Sequence, residues 1–84
     1  MSKLEKLRKQ IEQAPKHVRF EDLDKLLRAY GFEVRRPGRG GSHYYYSKRR
    51  VKVSVPKRRP LMLPIYVRLA LKAIDQAEEE KEND

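Results

Sequence analysis

The chain has 84 residues, 38% hydrophobic and 39% charged, with no cysteine and a formal net charge of +9. That length excludes a second domain and leaves a core that is only just sufficient, while the lack of cysteine excludes disulfides and thiolate metal sites. No apolar run has the form of a signal peptide or approaches membrane-spanning length, so the expected setting is the cytoplasm, with no membrane partner.

Ser2-Lys3-Leu4-Glu5 has the form of a capping box, and Leu4, Leu7 and Ile11 follow at helical spacing. A helix is predicted from Lys3 to Gln13, stopped at Ala14-Pro15 because proline disfavours a helical residue before it. His17-Val18-Arg19 is a connector, and His17 there reads as a surface or capping residue. Val18 and Leu23, five apart, have the spacing of a hydrophobic staple, and Glu21 and Asp22 suit the positive end of a helix dipole. Phe20, Leu23, Leu26, Leu27 and Tyr30 form one apolar face of a second helix, with Gly31 as its C-terminal cap.

Phe32-Glu33-Val34-Arg35-Arg36 alternates apolar and polar residues, the pattern of a half-buried strand. Pro37-Gly38-Arg39-Gly40-Gly41 breaks it. A tyrosine-dense strand from Ser42 to Ser47 follows, then a basic turn at Lys48-Arg49-Arg50. Val51-Lys52-Val53-Ser54-Val55 is a third strand, with valines on one face, ended by Pro56. Short connections make these an antiparallel meander.

After the basic connector Lys57-Arg58-Arg59-Pro60, Pro64 stands in the first turn of a last helix. Arg68, Lys72, Asp75, Gln76 and Glu79 form its one polar stripe. So much of the remaining circumference is apolar that the helix is expected to pack on the sheet and also on the first helix or a partner chain. The acidic tail from Glu78 is expected to fray. The whole reads as one α+β domain: a three-stranded antiparallel sheet with helices on one face. Its last five elements have the α-β-β-β-α order of a double-stranded-RNA-binding domain, with an extra N-terminal helical extension over residues 1–16.

The charge is unevenly placed. Residues 75–84 carry six acids and one lysine, a net −5, which leaves +14 on residues 1–74. Between Arg35 and Arg59 stand ten basic residues and no acid. Cations concentrated in this way read as a phosphate-binding surface rather than as the mixed charge of an ordinary solvated face.

Strand alternation assigns the faces. With Val51, Val53 and Val55 toward the helices, Lys52 and Ser54 face away; with Tyr44 and Tyr46 inward, His43, Tyr45 and Ser47 join them, as do Glu33 and Arg35. Cleaving RNA through its 2′-hydroxyl needs a base for that proton, an acid for the departing 5′-oxygen, and cations for the phosphoryl charge. A histidine can be either base or acid near neutral pH. His43 is therefore the candidate catalyst, and Lys52, Arg35 or Arg39 the candidate cations. The backbone N–H groups of the glycine turn, with Gly41 and Ser42, are expected to hold a phosphate, and Tyr45 is a platform for a base. No cofactor is implied, and no carboxylate and histidine cluster is spaced to bind a metal.

Leu26-Leu27-Arg28-Ala29-Tyr30-Gly31-Phe32, then Gly41-Ser42-His43, then Val53-Ser54-Val55-Pro56 and a final helix together resemble the HicA toxins of type II toxin-antitoxin systems. The likeness covers roughly residues 18–75, within a HicA-like core of residues 18–77 that precedes the acidic residues 78–84. It implies an mRNA interferase with a fold like the double-stranded-RNA-binding domain, acting without metal through His43 and silenced by a HicB-type antitoxin. Two departures stand out. Many members of that family carry a further histidine after the third strand where this chain has Lys57-Arg58-Arg59, and the helix from Lys3 to Gln13 precedes the family's common core. Two other readings share these residues: a non-catalytic RNA-binding module, and an interaction protein that assembles through its last helix.

Overall fold

The computed structural model describes residues 2–82. Its elements are α1 (Lys3–Gln13), a 3-10 turn (Pro15–His17), α2 (Phe20–Ala29), β1 (Glu33–Arg35), β2 (His43–Lys48), β3 (Val51–Pro56) and α3 (Pro64–Glu82). The strands form an antiparallel sheet in the order β1-β2-β3. This is the expected α+β architecture, with the 3-10 turn added in the connector.

Local signals set the helix ends. The Ser2 side chain accepts a hydrogen bond from the Glu5 backbone N–H at 3.1 Å, capping α1. Val18 and Leu23, at the staple positions of α2, are both buried in the one core cluster. At the other end of α2, Gly31 adopts a φ of +92°, its N–H donates to Arg28 O, and the Phe32 N–H donates to Leu27 O. Those two bonds make a Schellman cap, with Phe32 and Leu27 buried together as that motif favours.

The core lies between the sheet and the helices. Leu23, Leu26, Leu27, Val55, Val67, Ala70 and Ile74 are completely buried, and Tyr46 is nearly so. Burial at roughly 25 cal/mol per Å² of apolar surface is the main stabilising term in so small a domain. α3 packs chiefly on β3, with further contacts to α2 and the 3-10 turn, while α1 lies on α2. Arg8 ties α1 to α3: its guanidinium donates to Glu12 at 2.5 Å and to Asp75 at 2.6 Å and sits 5.8 Å from the Tyr30 ring centroid. Burial works against its charge, but the carboxylate hydrogen bonds outweigh burial and hold the proton more tightly than in a free arginine.

Two expectations change. The basic turn is two residues long, Arg49-Arg50, because Lys48 pairs with Val51 as the last residue of β2. Lys48 turns toward the helices, where its ammonium donates to the Tyr30 carbonyl and lies 3.7 Å from Glu78. The acidic end of α3 does not unwind at Glu78; the helix continues to Glu82, with Glu80 accepting from the Arg50 backbone N–H at 3.4 Å, and Asn83 and Asp84 lie outside the described residues. The apolar excess of α3 is not fully covered: Ile65 and Leu69 stay 59% and 44% exposed.

Candidate nucleic-acid interface

The face of the sheet turned away from the helices is where the sequence placed its site residues. The register aligns Arg35, Tyr45 and Ser54 in one row across the three strands, and Glu33, Ser47 and Lys52 in the next. Tyr45 is 52% exposed, whereas its neighbour Tyr46 is buried at 1%. Tyr44 also points inward, its ring 4.7 Å from Phe20. The pleat thus splits the tyrosine run as alternation requires. Arg35, Tyr45, Ser47, Lys52 and Ser54 line an open depression of about 530 Å³ on this face.

His43 begins β2, opposite Pro56, and is exposed. It lies one same-face step beyond Tyr45, about 7 Å along the strand. It does not line the depression but stands at its end toward the glycine turn. Glu33, the one acid among the three strands, is level with Ser47, so four residues or about 13 Å separate it from His43 along the sheet. No strand carboxylate therefore orients the imidazole. Beside His43, the Lys57 N–H donates to the Ser42 carbonyl at 2.8 Å, extending the ladder by one bond and fixing the chain on either side of the histidine.

The turn before His43 is tightly specified. The Gly41 N–H donates to Gly38 O at 3.0 Å, and Gly40 has a φ of +77°, the geometry of a type II turn with glycine at its third position. Arg39 projects from the tip. A Cβ on Gly41 would stand 3.3 Å from Pro37 Cβ, so this glycine serves close packing. Its N–H is engaged inside the turn, and Gly41 offers a ligand close approach rather than a hydrogen bond. The Ser42 side chain is exposed next to it.

Not all ten cations of the basic block are available. Lys48 is paired with Glu78 and Arg59 with Glu21 at 3.3 Å, and the Lys57 ammonium lies 5.3 Å from the Phe20 ring centroid on the helix side. Among the described residues, Arg35, Arg36, Arg39, Lys52 and Arg58 form no ion pair. These unpaired charges border the sheet face and the two segments that flank His43. Sequence reasoning put Ser47 and Ser54 on this face by alternation but gave them no binding role; which of them stands level with Tyr45 depends on the register, which a two-residue hairpin turn sets.

Among the described residues, no group of three or more histidines, aspartates and glutamates stands close enough to hold a metal ion, and no helix is long and apolar enough to cross a membrane. Comparison with protein-family models, curated proteins and solved structures finds no match to this chain. The functional reading therefore rests on the residues themselves.

Proposed function

We propose that this protein is a HicA-type toxin: a cytoplasmic, metal-independent endoribonuclease with a fold like the double-stranded-RNA-binding domain, cleaving mRNA and restrained by a HicB-type antitoxin. The observation that carries the reading is the exposed His43 between a tight glycine turn and a sheet face whose cations lack acidic partners. The phosphate backbone is held by Arg35, Arg39 and Lys52, with Gly41 and Ser42 letting it come close to the histidine. His43 acts as general acid or base. As base it takes the proton of a 2′-hydroxyl; the 2′-oxygen bonds to phosphorus, the P–O5′ bond breaks, and the 5′-oxygen leaves with a proton taken from solvent water. A 2′,3′-cyclic phosphate and a 5′-hydroxyl end result. Neighbouring cations offset the charge that grows on the phosphoryl oxygens. In the segment where many HicA toxins carry a second histidine this chain has Lys57, whose ammonium lies 5.3 Å from the Phe20 ring centroid.

The test is cleavage of RNA by purified protein, with and without chelator, beside His43→Ala. Cleavage that survives chelator and disappears in a folded His43→Ala protein is the expected result. Undiminished cleavage by that variant would overturn the assignment of His43. A second reading, a non-catalytic RNA-binding module, is favoured by one feature: the depression centred on Tyr45 binds without needing His43. It predicts salt-sensitive RNA binding with no products at any protein concentration.

A further inference from the structure

The row Arg35–Tyr45–Ser54 carries a more specific conclusion about the ligand. Resting on the RNA part of the reading above, but not on catalysis, we infer that the depression centred on Tyr45 is a subsite for one unpaired nucleobase, so that the protein takes single-stranded RNA and not a duplex.

The argument begins with what an aromatic ring can reach. Inside a duplex each base has both faces covered by its neighbours, so only an unstacked base can lie against a side-chain ring. Tyr45 is a half-exposed ring in the middle of the sheet, on the central strand, with no ring-to-ring contact among the described residues and with polar side chains on every lateral side. Arg35 flanks it on β1 and Ser54 on β3, while Glu33, Ser47 and Lys52 form the next row, with the Glu33 carboxylate at its β1 end and the Lys52 ammonium at its β3 end. A ring surrounded by hydroxyls and cations suits a base: the face stacks, the edge meets Ser47 and Ser54, and the phosphates on either side meet Arg35 and Lys52. The hydroxyls can donate or accept, so they are placed to give this position a preference among bases.

The same geometry sets a register. Tyr45 and His43 are successive residues of one face, about 7 Å apart, a span comparable to one extended nucleotide. With a base on Tyr45, the phosphate nearest His43 belongs to the adjoining linkage. The unpaired base is thus next to the reacting phosphate, and pairing it into a helix removes both contacts together. This differs from what the element order alone implies, since double-stranded-RNA-binding domains read duplex shape across successive minor grooves.

The experiment uses the full chain and a short mixed-sequence RNA made with 2′-O-methyl nucleotides, which cannot be cleaved through the 2′-oxygen. Binding is measured for the single strand, for the same strand annealed to its complement, and for strands with one abasic nucleotide moved along the sequence. Tight binding of the single strand over the duplex is expected, with Tyr45→Ala weakening single-strand binding about tenfold and Tyr45→Phe having little effect. On the strand whose abasic position falls at the subsite, Tyr45→Ala should lose its effect. Equal binding of duplex and single strand, or a neutral Tyr45→Ala in a protein whose circular dichroism is unchanged, would overturn the inference. Because the RNA is uncleavable, the outcomes separate: stacking without any cleavage of natural RNA defeats the enzyme reading alone, and His43-dependent cleavage without stacking defeats this subsite alone.

Discussion

Tyr46 donates its phenolic O–H to an Asp24 carboxylate oxygen at 2.6 Å, joining the central strand to α2. The bond decides the orientation of the whole tyrosine run, because anchoring Tyr46 inward leaves Tyr45 no direction but outward. Asp24 also accepts from Arg28 at 3.2 Å, so it keeps one partner if the phenol is removed. Tyr46→Phe should therefore cost about 1–2 kcal/mol, a fall of roughly 5–15 °C in melting temperature. RNA binding at saturating folded protein should be unchanged, since Tyr45 remains in place. Thermal denaturation followed by circular dichroism, with a binding assay at low temperature, checks both halves.

The same pair makes stability sensitive to alkali. Burial first, and then the hydrogen bond to Asp24, push the Tyr46 phenol above its ordinary value of 10.0. The unfolded chain ionises this tyrosine near pH 10 while the native protein resists ionisation, so the contribution is fully present below about pH 10 and is lost progressively above it. Tyr46→Phe lacks the group. The stability gap between the parent and the variant should narrow between about pH 9 and about pH 11, as read from urea denaturation at each pH. A gap that is constant or widens would contradict the sign.

Much of this arrangement was legible in the residues. The capping serine, the Val18 and Leu23 staple and the glycine after Tyr30 act through neighbours in sequence, and each stands where the local signal put it. Strand faces were legible for the same reason, as alternation is a local rule. What was hidden depended on distant partners. Lys48 looks like another turn cation until the Tyr30 carbonyl and Glu78 are brought to it, and Glu78 looks like the start of a loose tail until Lys48 and the Arg50 N–H meet that end of the helix. Shortening the turn by one residue fixes Ser54 rather than Val53 opposite Tyr45, and with it the row of the candidate subsite.

The glycine turn offers a test that separates backbone strain from crowding. At Gly40 a Cβ would meet nothing within 4 Å, but φ is +77°; at Gly41 φ is unremarkable, but a Cβ would stand 3.3 Å from Pro37 Cβ and 3.4 Å from Gly38 O. Gly40→Ala should cost about 1–2 kcal/mol through the left-handed backbone alone, and Gly40→Asn less, because asparagine tolerates that region. Gly41→Ala should instead displace Pro37 and move the chain entering β2. Chemical-shift changes confined to the turn are expected for Gly40→Asn, whereas Gly41→Ala should also perturb His43 and lower RNA affinity.

Lys52 and Lys48 lie on opposite faces of the same hairpin and should answer differently to salt. Lys52 is exposed, lines the depression and has no ion-pair partner among the described residues, so it is free to meet a phosphate. Lys48 is neutralised by Glu78 and held by the Tyr30 carbonyl on the helix side. Each phosphate contact to single-stranded RNA contributes about 0.7 to the slope of log affinity against log salt. Lys52→Gln should lower that slope by about 0.7, with little change in melting temperature, because an exposed side chain is removed. Lys48→Gln should do the reverse: the slope stays, while stability drops as the link between β2, α2 and α3 is lost. Binding titrations at several salt concentrations, paired with thermal melts of both variants, read the two effects separately. Equal loss of slope in both would mean that RNA wraps around the hairpin end rather than lying on the open sheet face.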